Sequence, residues 1–189
     1  ALDRIDIEVS KTLPSASESF LDITLASAML KDKTMDLVIR HTVQLGINQW
    51  MPFFCERSVP TPDRKRMDKR LSRWDTIARE SLKQCRRSRL VNILPPLLFT
   101  DLLAASKDYD LRIAFWEAAK MPLTDLPGPG KKTSKVFILI GPEGGFTNQE
   151  IDQARAAGFI ACSLGPRILR AETAAITACS LVQHLFGDM

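Results

Sequence analysis

Residues 135–151, K-V-F-I-L-I-G-P-E-G-G-F-T-N-Q-E-I, and residues 159–173, F-I-A-C-S-L-G-P-R-I-L-R-A-E-T, show the most regular pattern in the sequence. Each stretch opens on an apolar run typical of a buried strand and passes through a loop rich in glycine and proline. Helical patterns follow at residues 147–157 and 171–186, the first opened by the capping box of Thr147 and Glu150. This alternation predicts an α/β fold, a parallel sheet with helices on both faces.

The rest of the chain supplies further strands and helices. Apolar periodicity predicts strands at residues 3–10, 20–26, 47–54 and 111–116, and helices at 34–45, 67–87 and 100–105. A surface loop is expected at residues 121–132, which contain P-G-P-G. Because the first two strands have no earlier partner, we expect residues 1–27 to be the end of a small β domain and residues 28–189 to form the α/β domain.

Composition excludes several classes of protein. The chain has 189 residues, of which 45% are hydrophobic and 25% charged, so it is not disordered or collagen-like. No apolar run approaches the roughly 20 residues of a membrane helix, so no membrane partner is expected. The four cysteines lie far apart and form no C-x-x-C pair, which favours buried thiols in a reducing, cytoplasmic compartment. The two histidines have no partner at metal-ligand spacing, so no metal is expected, although spacing alone leaves a Cys–His pair open.

Positive charge is concentrated in one segment. Residues 64–89 hold eleven lysines and arginines against three acids, although the whole chain carries only +4. An apolar stripe along the predicted helix at 67–87 leaves many of these cations on the opposite face. A solvated helix face is the plain explanation, but the bias in sign favours a polyanion such as RNA or DNA. The candidate nucleic-acid contacts are Arg66, Lys69, Arg70, Arg73, Arg86 and Arg87, with Arg167 from a later loop.

Two loops follow successive predicted strands. We call residues 141–145, G-P-E-G-G, the first glycine loop, and residues 165–173, G-P-R-I-L-R-A-E-T, the second glycine loop. Ligands of open α/β sheets bind at the carboxyl ends of the strands, so both loops would face one crevice. Neither loop matches a phosphate-binding or dinucleotide-binding fingerprint. The pair therefore predicts a pocket for a small ligand and leaves that ligand unidentified.

The motifs I-G-P-E-G-G-F-T-x-x-E-I and L-G-P-R-I-L-R-A-E-T-A closely resemble those of the bacterial 16S rRNA uridine-N3 methyltransferases. The resemblance extends from about residue 20 to the end, through K-D-K-T-M-D, the E-R-S of residues 56–58 and the terminal F-G-D. That family belongs to the SPOUT class, which binds S-adenosyl-L-methionine and ties a C-terminal deep trefoil knot. The resemblance implies a homodimer that acts on 16S rRNA, preceded by a PUA-like RNA-binding β-barrel, of which residues 1–27 would be a remnant.

The resemblance also implies which residues surround the cofactor. They are Leu139, Gly141, Glu143, Gly144, Gly145, Leu164, Gly165, Ile168 and Leu169. Backbone groups of such loops can hydrogen-bond the polar ends of a ligand, while Ile168 and Leu169 cover its apolar face. Ordinary core packing remains open for Ile168 and Leu169, and a strained turn remains open for Gly144 and Gly145.

Methylation at uridine N3 removes a proton and spreads negative charge onto the O2 and O4 carbonyls. An arginine lowers that cost, and Arg170, beside the cofactor loop, is the first candidate. Arg167 is placed to bind phosphate instead. Glu172 follows at the start of a helix, where it either orients Arg170 or stabilises the helix terminus. Glu143 is equally open as a general base or as a structural acid.

Three functions are compatible with these residues. The first is methylation of uridine N3 in 16S rRNA. The second is a related SPOUT activity at another RNA position, such as a ribose 2′-hydroxyl of tRNA. The third is a non-catalytic RNA-binding or ribosome-assembly module, which predicts no cofactor binding.

Overall fold

The computed structural model describes residues 7–8, 10–11, 18–58, 64–126 and 133–189. The strands are β1 (Asp22–Ala28), β2 (Ile47–Phe54), β3 (Asn92–Ile93), β4 (Leu97–Leu98), β5 (Leu111–Phe115), β6 (Lys135–Ile140) and β7 (Ile160–Cys162). The helices are α1 (Asp32–Gln44), α2 (Arg64–Cys85), α3 (Phe99–Ala105), α4 (Asn148–Ala156) and α5 (Ala171–Phe186), with a short 3₁₀ helix at Leu123–Asp125. None of the helices described is long and apolar enough to span a membrane.

The apolar periodicity of the sequence predicted most of these strands and helices. The predicted bounds of β2, β6 and α5 are confirmed, and β1, β5, β7 and helices α1 to α4 differ from prediction by a few residues at most. The capping box of Thr147 and Glu150 is present at the start of α4. Strands β3 and β4 were not expected, because two residues each around Pro95 and Pro96 are too short to show a period. The strand expected at residues 3–10 and most of the loop expected at 121–132 lie outside the described residues.

The described strands form one sheet in the order β3-β2-β1-β6-β5-β7, with β4 also paired to β2. All of the pairings are parallel. Every crossover therefore runs over a face of the sheet, and the chain covers both faces with helices. The predicted parallel α/β sheet is confirmed.

Strand β6 illustrates how the two faces are built. Val136, Ile138 and Ile140 pack into the core beneath α1, α2 and α5, whereas Phe137 and Leu139 pack into the core beneath α3 and α4. All five are buried, because successive side chains of a strand point to opposite faces and both faces are covered.

The basic helix α2 is fixed through its apolar stripe. Trp74, Ala78 and Leu82 are buried on it, and Trp74 packs edge-on against Trp50 with ring centroids 4.9 Å apart. The indole N–H of Trp50 donates to the Ser27 hydroxyl at 2.9 Å. The stripe therefore docks α2 on the sheet and turns its basic side outward.

The domain boundary expected between residues 27 and 28 is wrong. Strand β1 lies at the centre of the parallel sheet, between β2 and β6, so it belongs to the α/β domain. Its residues from Ile23 to Ala28 are all buried, as is typical of a strand covered on both faces. A sequence pattern identifies a strand but not the sheet it joins, and this is why the boundary was misplaced.

Candidate active site

The sheet order brings three strand ends together. Strands β6, β5 and β7 are adjacent and parallel, so the loops after them meet at one edge of the sheet. They enclose a cavity of about 290 Å³. Its lining residues come from the ends of the three strands and from the segments that follow them. They are Phe115, Trp116 and Glu117 at β5, Ile140, Gly141, Pro142, Glu143, Gly144, Gly145 and Phe146 at β6, and Leu164, Gly165, Arg167, Ile168, Leu169, Ala171 and Ala174 after β7.

Eight of the nine residues expected around a ligand line this cavity: Gly141, Glu143, Gly144, Gly145, Leu164, Gly165, Ile168 and Leu169. The ninth, Leu139, does not. It is fully buried on the face covered by α3 and α4, whereas the next residue, Ile140, reaches the cavity from the other face. The alternation of side chains along β6 separates the two.

The end of β5 was missed by sequence reasoning. Phe115, Trp116 and Glu117 form one wall of the cavity, although no motif marks them. They reach it because β5 lies between β6 and β7, an arrangement that only the sheet order reveals. The available signal was the strand pattern of residues 111–116 followed by an acidic residue, which did not distinguish this strand end from others.

The first glycine loop has a fixed backbone. Gly145 has a φ of +69°, and its N–H donates to the Pro142 carbonyl at 2.9 Å. A Cβ on Gly145 would lie 2.5 Å from the Glu117 carboxylate. Gly145 therefore has a left-handed backbone, which side chains rarely adopt, and a Cβ there would displace the Glu117 carboxylate.

The second glycine loop covers the cavity with an apolar side chain. Gly165 has a φ of +106°, and Ile168 further along the loop is 85% exposed although it lines the cavity. Leu169 beside it is half-buried. An isoleucine held at the mouth of a pocket gains little from folding alone, so its apolar surface is available to a ligand.

The charged residues expected to be catalytic lie around the cavity rather than in its wall. Arg170 is the N-cap residue of α5 and is exposed, and Glu172 lies half-buried in the first helical turn. Among the described side chains these two form no ion pair with each other, so the structure does not provide the orienting contact considered for Glu172. Arg167 is exposed and does line the cavity.

Three of the four cysteines carry buried or half-buried thiols that do not line the cavity and are poor nucleophiles. Burial raises the pKa of the Cys55 and Cys162 thiols to about 11, and the Cys55 sulfur contacts the Ser58 hydroxyl at 3.2 Å. Burial also raises the pKa of Cys179 to about 12. Thiols with such pKa values stay protonated at neutral pH and are poor nucleophiles. Within the described residues no group of three or more His, Cys, Asp or Glu is placed to hold a metal.

The cations on the basic face of α2 are of two kinds, those exposed to solvent and one that forms an ion pair with α1. Arg66 and Lys69 are exposed on the helix, Arg86 is exposed just after the helix ends at Cys85, and Arg70 is half-buried. Arg73 binds Asp36 of α1, with Nε and Nη2 at 2.9 and 2.6 Å from Oδ2, while its side chain remains 65% exposed. The exposed cations stay a prediction for contact with a polyanion, and Arg73 additionally ties α2 to α1.

Arg87 does not belong to this face. Its side chain is only 8% exposed and donates to Glu18 at 2.9 Å and to the carbonyls of Val43 and Ile47 at 2.6 and 3.0 Å. The helix ends at Cys85, so Arg87 turns inward instead of following the helical periodicity. The expectation of an exposed Arg87 is wrong.

We expect Arg87→Met to lower the free energy of unfolding by about 1–3 kcal/mol in urea at pH 7, because it removes the guanidinium that donates to Glu18 and to two backbone carbonyls. Burial would raise the pKa of Glu18, but hydrogen bonds from the Arg89 amide and from Arg87 outweigh it and lower the pKa. The stabilisation is therefore complete above pH 4.5, the ordinary pKa, and is lost as the pH falls below it. Arg89→Met, on an exposed side chain, is the control; equal losses in both variants would contradict the assignment.

The molecule is a parallel α/β protein whose ligand pocket is formed by glycine-rich loops at the strand ends. Comparison with known proteins shows to which family of such proteins it belongs. The sequence model of the RNA methyltransferase domain matches residues 17–183. The ribosomal RNA small subunit methyltransferase E of Mesomycoplasma hyopneumoniae is 35% identical over 169 residues, covering 89% of this chain and 72% of the relative. That of Bacillus subtilis is 30% identical over 191 residues, covering 96% and 73%.

A solved structure shows the same likeness. The crystal structure of ribosomal RNA small subunit methyltransferase E from Neisseria gonorrhoeae, bound to S-adenosyl methionine, superposes with a TM-score of 0.82. It is 33% identical, and the match covers 92% of this chain and 70% of that one. The chain therefore belongs to the RNA methyltransferase family and, within it, to the group of ribosomal RNA small subunit methyltransferases E.

Proposed function

We propose that this chain transfers the methyl group of S-adenosyl-L-methionine to N3 of a uridine in small-subunit (16S) ribosomal RNA. Family membership supports the coarser statement, methylation of ribosomal RNA with this cofactor. The position N3 rests on the resemblance of the two glycine loops. The observation that carries the proposal is the cavity formed by both loops at adjacent strand ends.

The cavity has the size of a small-molecule site, and its lining suits the chemistry of the cofactor. Its volume of about 290 Å³ is close to the roughly 300 Å³ at which small-molecule sites begin. Phe115, Ile140 and Leu169 offer apolar walls, while the glycines expose backbone donors and acceptors. The acids Glu117 and Glu143 suit a ligand with a sulfonium and an ammonium group, because both ligand groups are cationic. S-adenosyl-L-methionine supplies an electrophilic methyl group when bound.

Residues of this chain would prepare the uridine. Arg170 is exposed at the start of α5, directly after the loop that lines the cavity, and its guanidinium can approach a carbonyl of a bound base. Positive charge there stabilises the negative charge that N3 deprotonation spreads onto O2 and O4. A uridine paired within an RNA helix must first leave the stack to reach the cavity.

The exposed cations of α2, with Arg167 at the cavity, would hold the RNA backbone.

We include in the proposal the homodimer, the C-terminal trefoil knot, the cytoplasmic location and a PUA-like RNA-binding domain ahead of β1, all implied by the resemblance. Light scattering of the purified chain tests the dimer, and a monomer in solution would contradict it.

Lys69→Met should weaken binding of small-subunit RNA and reduce the slope of log affinity against log salt by about 1, because one phosphate contact is lost. Lys69 is exposed on the basic face, so stability should not change. Fluorescence anisotropy at several salt concentrations measures the slope. Lys107→Met, at an exposed lysine two residues after the end of α3, is the matched control. An unchanged slope in Lys69→Met would show that Lys69 does not contact the RNA.

The first test of the function is a calorimetric titration of S-adenosyl-L-methionine into the chain. Micromolar binding is expected. A folded chain that does not bind the cofactor would contradict the methyltransferase function and favour the non-catalytic RNA-binding module.

The second test identifies the product. The chain is incubated with cofactor and unmodified small ribosomal subunits, and the digested RNA is analysed by nucleoside mass spectrometry. A methyl group on the uracil base at N3 is expected. Methylation of a ribose 2′-hydroxyl gives a different fragment and would favour the alternative SPOUT activity.

A further inference from the structure

The turn after β2 is one of the motifs that this sequence shares with the methyltransferase family, but it does not line the cavity. We call residues 55–58, C-E-R-S, the E-R-S turn. The Ser58 N–H donates to the Cys55 carbonyl at 3.1 Å, and the Cys55 N–H donates to the Ser58 hydroxyl at 2.9 Å. These two bonds close the turn, so its middle residues, Glu56 and Arg57, are presented to whatever lies beside it.

Arg57 lies against the first glycine loop. Its Nη1 donates to the Gly144 carbonyl at 2.8 Å, across 87 positions of sequence. Its side-chain carbons lie 3.3 and 3.4 Å from where a Cβ of Gly144 would stand. The aliphatic part of Arg57 thus covers Gly144 from outside the cavity while its guanidinium holds the carbonyl.

Glu56 attaches the same turn on the other side of the loop. Its N–H donates to Oε1 of Glu150 at 2.9 Å, and Glu150 is only 6% exposed. The same carboxylate accepts from the Thr147 N–H at 2.8 Å in the capping box of α4. The E-R-S turn is therefore bonded to Gly144 and to Glu150, at the two ends of the segment that leads from the loop into α4.

The bond from Arg57 falls on a peptide unit that needs support. The Gly144 carbonyl and the Gly145 N–H belong to one peptide plane, and that N–H donates to the Pro142 carbonyl at 2.9 Å. A peptide between two glycines has no Cβ on either side to restrict its rotation. Arg57 holds one end of the plane and Pro142 the other, so the two bonds together select a single orientation.

We propose that Arg57 is a positioning residue of the cofactor pocket, which acts through the Gly144 carbonyl to fix the Gly144–Gly145 peptide. This inference rests on the proposed function, because it assigns the pocket to S-adenosyl-L-methionine. Arg57 does not line the cavity and would not contact the cofactor. Its contribution is to keep the loop in the binding conformation, so that the cofactor does not have to order it.

Three variants of the full chain test the proposal. Arg57→Met keeps an aliphatic side chain and removes the donors, Arg57→Lys restores one donor, and Arg40→Met changes an exposed arginine of α1 as a matched control. Arg57→Met should weaken S-adenosyl-L-methionine binding about tenfold in calorimetry, since one charge-assisted hydrogen bond is lost. Arg57→Lys should recover part of that loss, and Arg40→Met should bind as the unchanged chain does.

Hydrogen exchange on the ligand-free chain gives a readout that does not depend on the cofactor. Arg57→Met should speed exchange of the Gly145 amide about tenfold, because the peptide can then rotate away from Pro142. Exchange in β6 should not change. A general loss of stability would speed exchange in both places and would overturn the positioning role.

Methylation kinetics separate the proposal from a direct RNA contact. At saturating cofactor, Arg57→Met should leave the KM for RNA unchanged. An unchanged cofactor affinity together with a raised KM for RNA would contradict the proposal and assign Arg57 to the RNA. If the unchanged chain binds no cofactor, the proposed function fails, and an unaltered Gly145 exchange rate would additionally refute the role of Arg57 in the loop.

Discussion

Gly145→Val should weaken S-adenosyl-L-methionine binding by about a hundredfold or more, a loss that corresponds to roughly 2.7 kcal/mol. Gly145 has a φ of +69°, and a β-branched residue is a genuine outlier there. Its Cβ would also lie 2.5 Å from the Glu117 carboxylate, which lines the same cavity. The loop or Glu117 must move, and either shift changes the pocket wall. Calorimetry on the folded variant measures the effect.

Gly158→Val is the matched control. Gly158 has a φ of +86°, and its Cβ would lie 2.9 Å from Nη2 of Arg112, so backbone strain and crowding are similar. It follows α4 and does not line the cavity. Both variants should lose about 1–3 kcal/mol of stability, but only Gly145→Val should lose cofactor affinity. Equal cofactor affinities in the two variants would show that the first glycine loop does not form the binding wall.

Arg170→Ala should lower the rate of methyl transfer by about a hundred- to a thousandfold, the usual cost of removing a donor that stabilises developing negative charge. Cofactor affinity should remain within about threefold, because Arg170 caps α5 through its backbone and does not line the cavity. Single-turnover kinetics with saturating cofactor and small ribosomal subunits measure the transfer step.

Arg167→Ala provides the contrast for this experiment. Arg167 lines the cavity and is the candidate phosphate contact, so its loss should raise the KM for RNA with a smaller effect on the transfer rate. A loss of cofactor binding in Arg170→Ala would move Arg170 into the cofactor site. An unchanged transfer rate would exclude Arg170 from the chemistry altogether.

Methylation at N3 also requires a group that accepts the N3 proton of the uridine. An N3 proton must leave before or during transfer, and neither Cys55 nor Cys162 lines the cavity. Burial also raises the pKa of both thiols to about 11, so neither is suited to accept the proton at neutral pH. The Cys–His pair that spacing alone left open finds no support at this site.

The features that could be predicted from the sequence are local ones. Apolar alternation located β2 and β6, a capping box located the start of α4, and an apolar stripe located α2. Eight of the nine residues expected around the ligand line the cavity, because a loop directly after a buried strand has little freedom in where it emerges. These features depend on residues within one or two turns of each other, so they can be read along the chain.

The features that could not be predicted depend on pairing between segments that are distant in sequence. The sheet order placed β1 at the centre of the α/β domain and brought the end of β5 into the cavity. Packing sent Leu139 to the far face of the sheet and turned Arg87 inward onto Glu18. The bond from Arg57 to Gly144 joins residues 87 positions apart. The spacing of apolar residues along the chain does not predict such contacts. The neighbour of each strand depends on how the apolar faces of all the strands and helices are buried together.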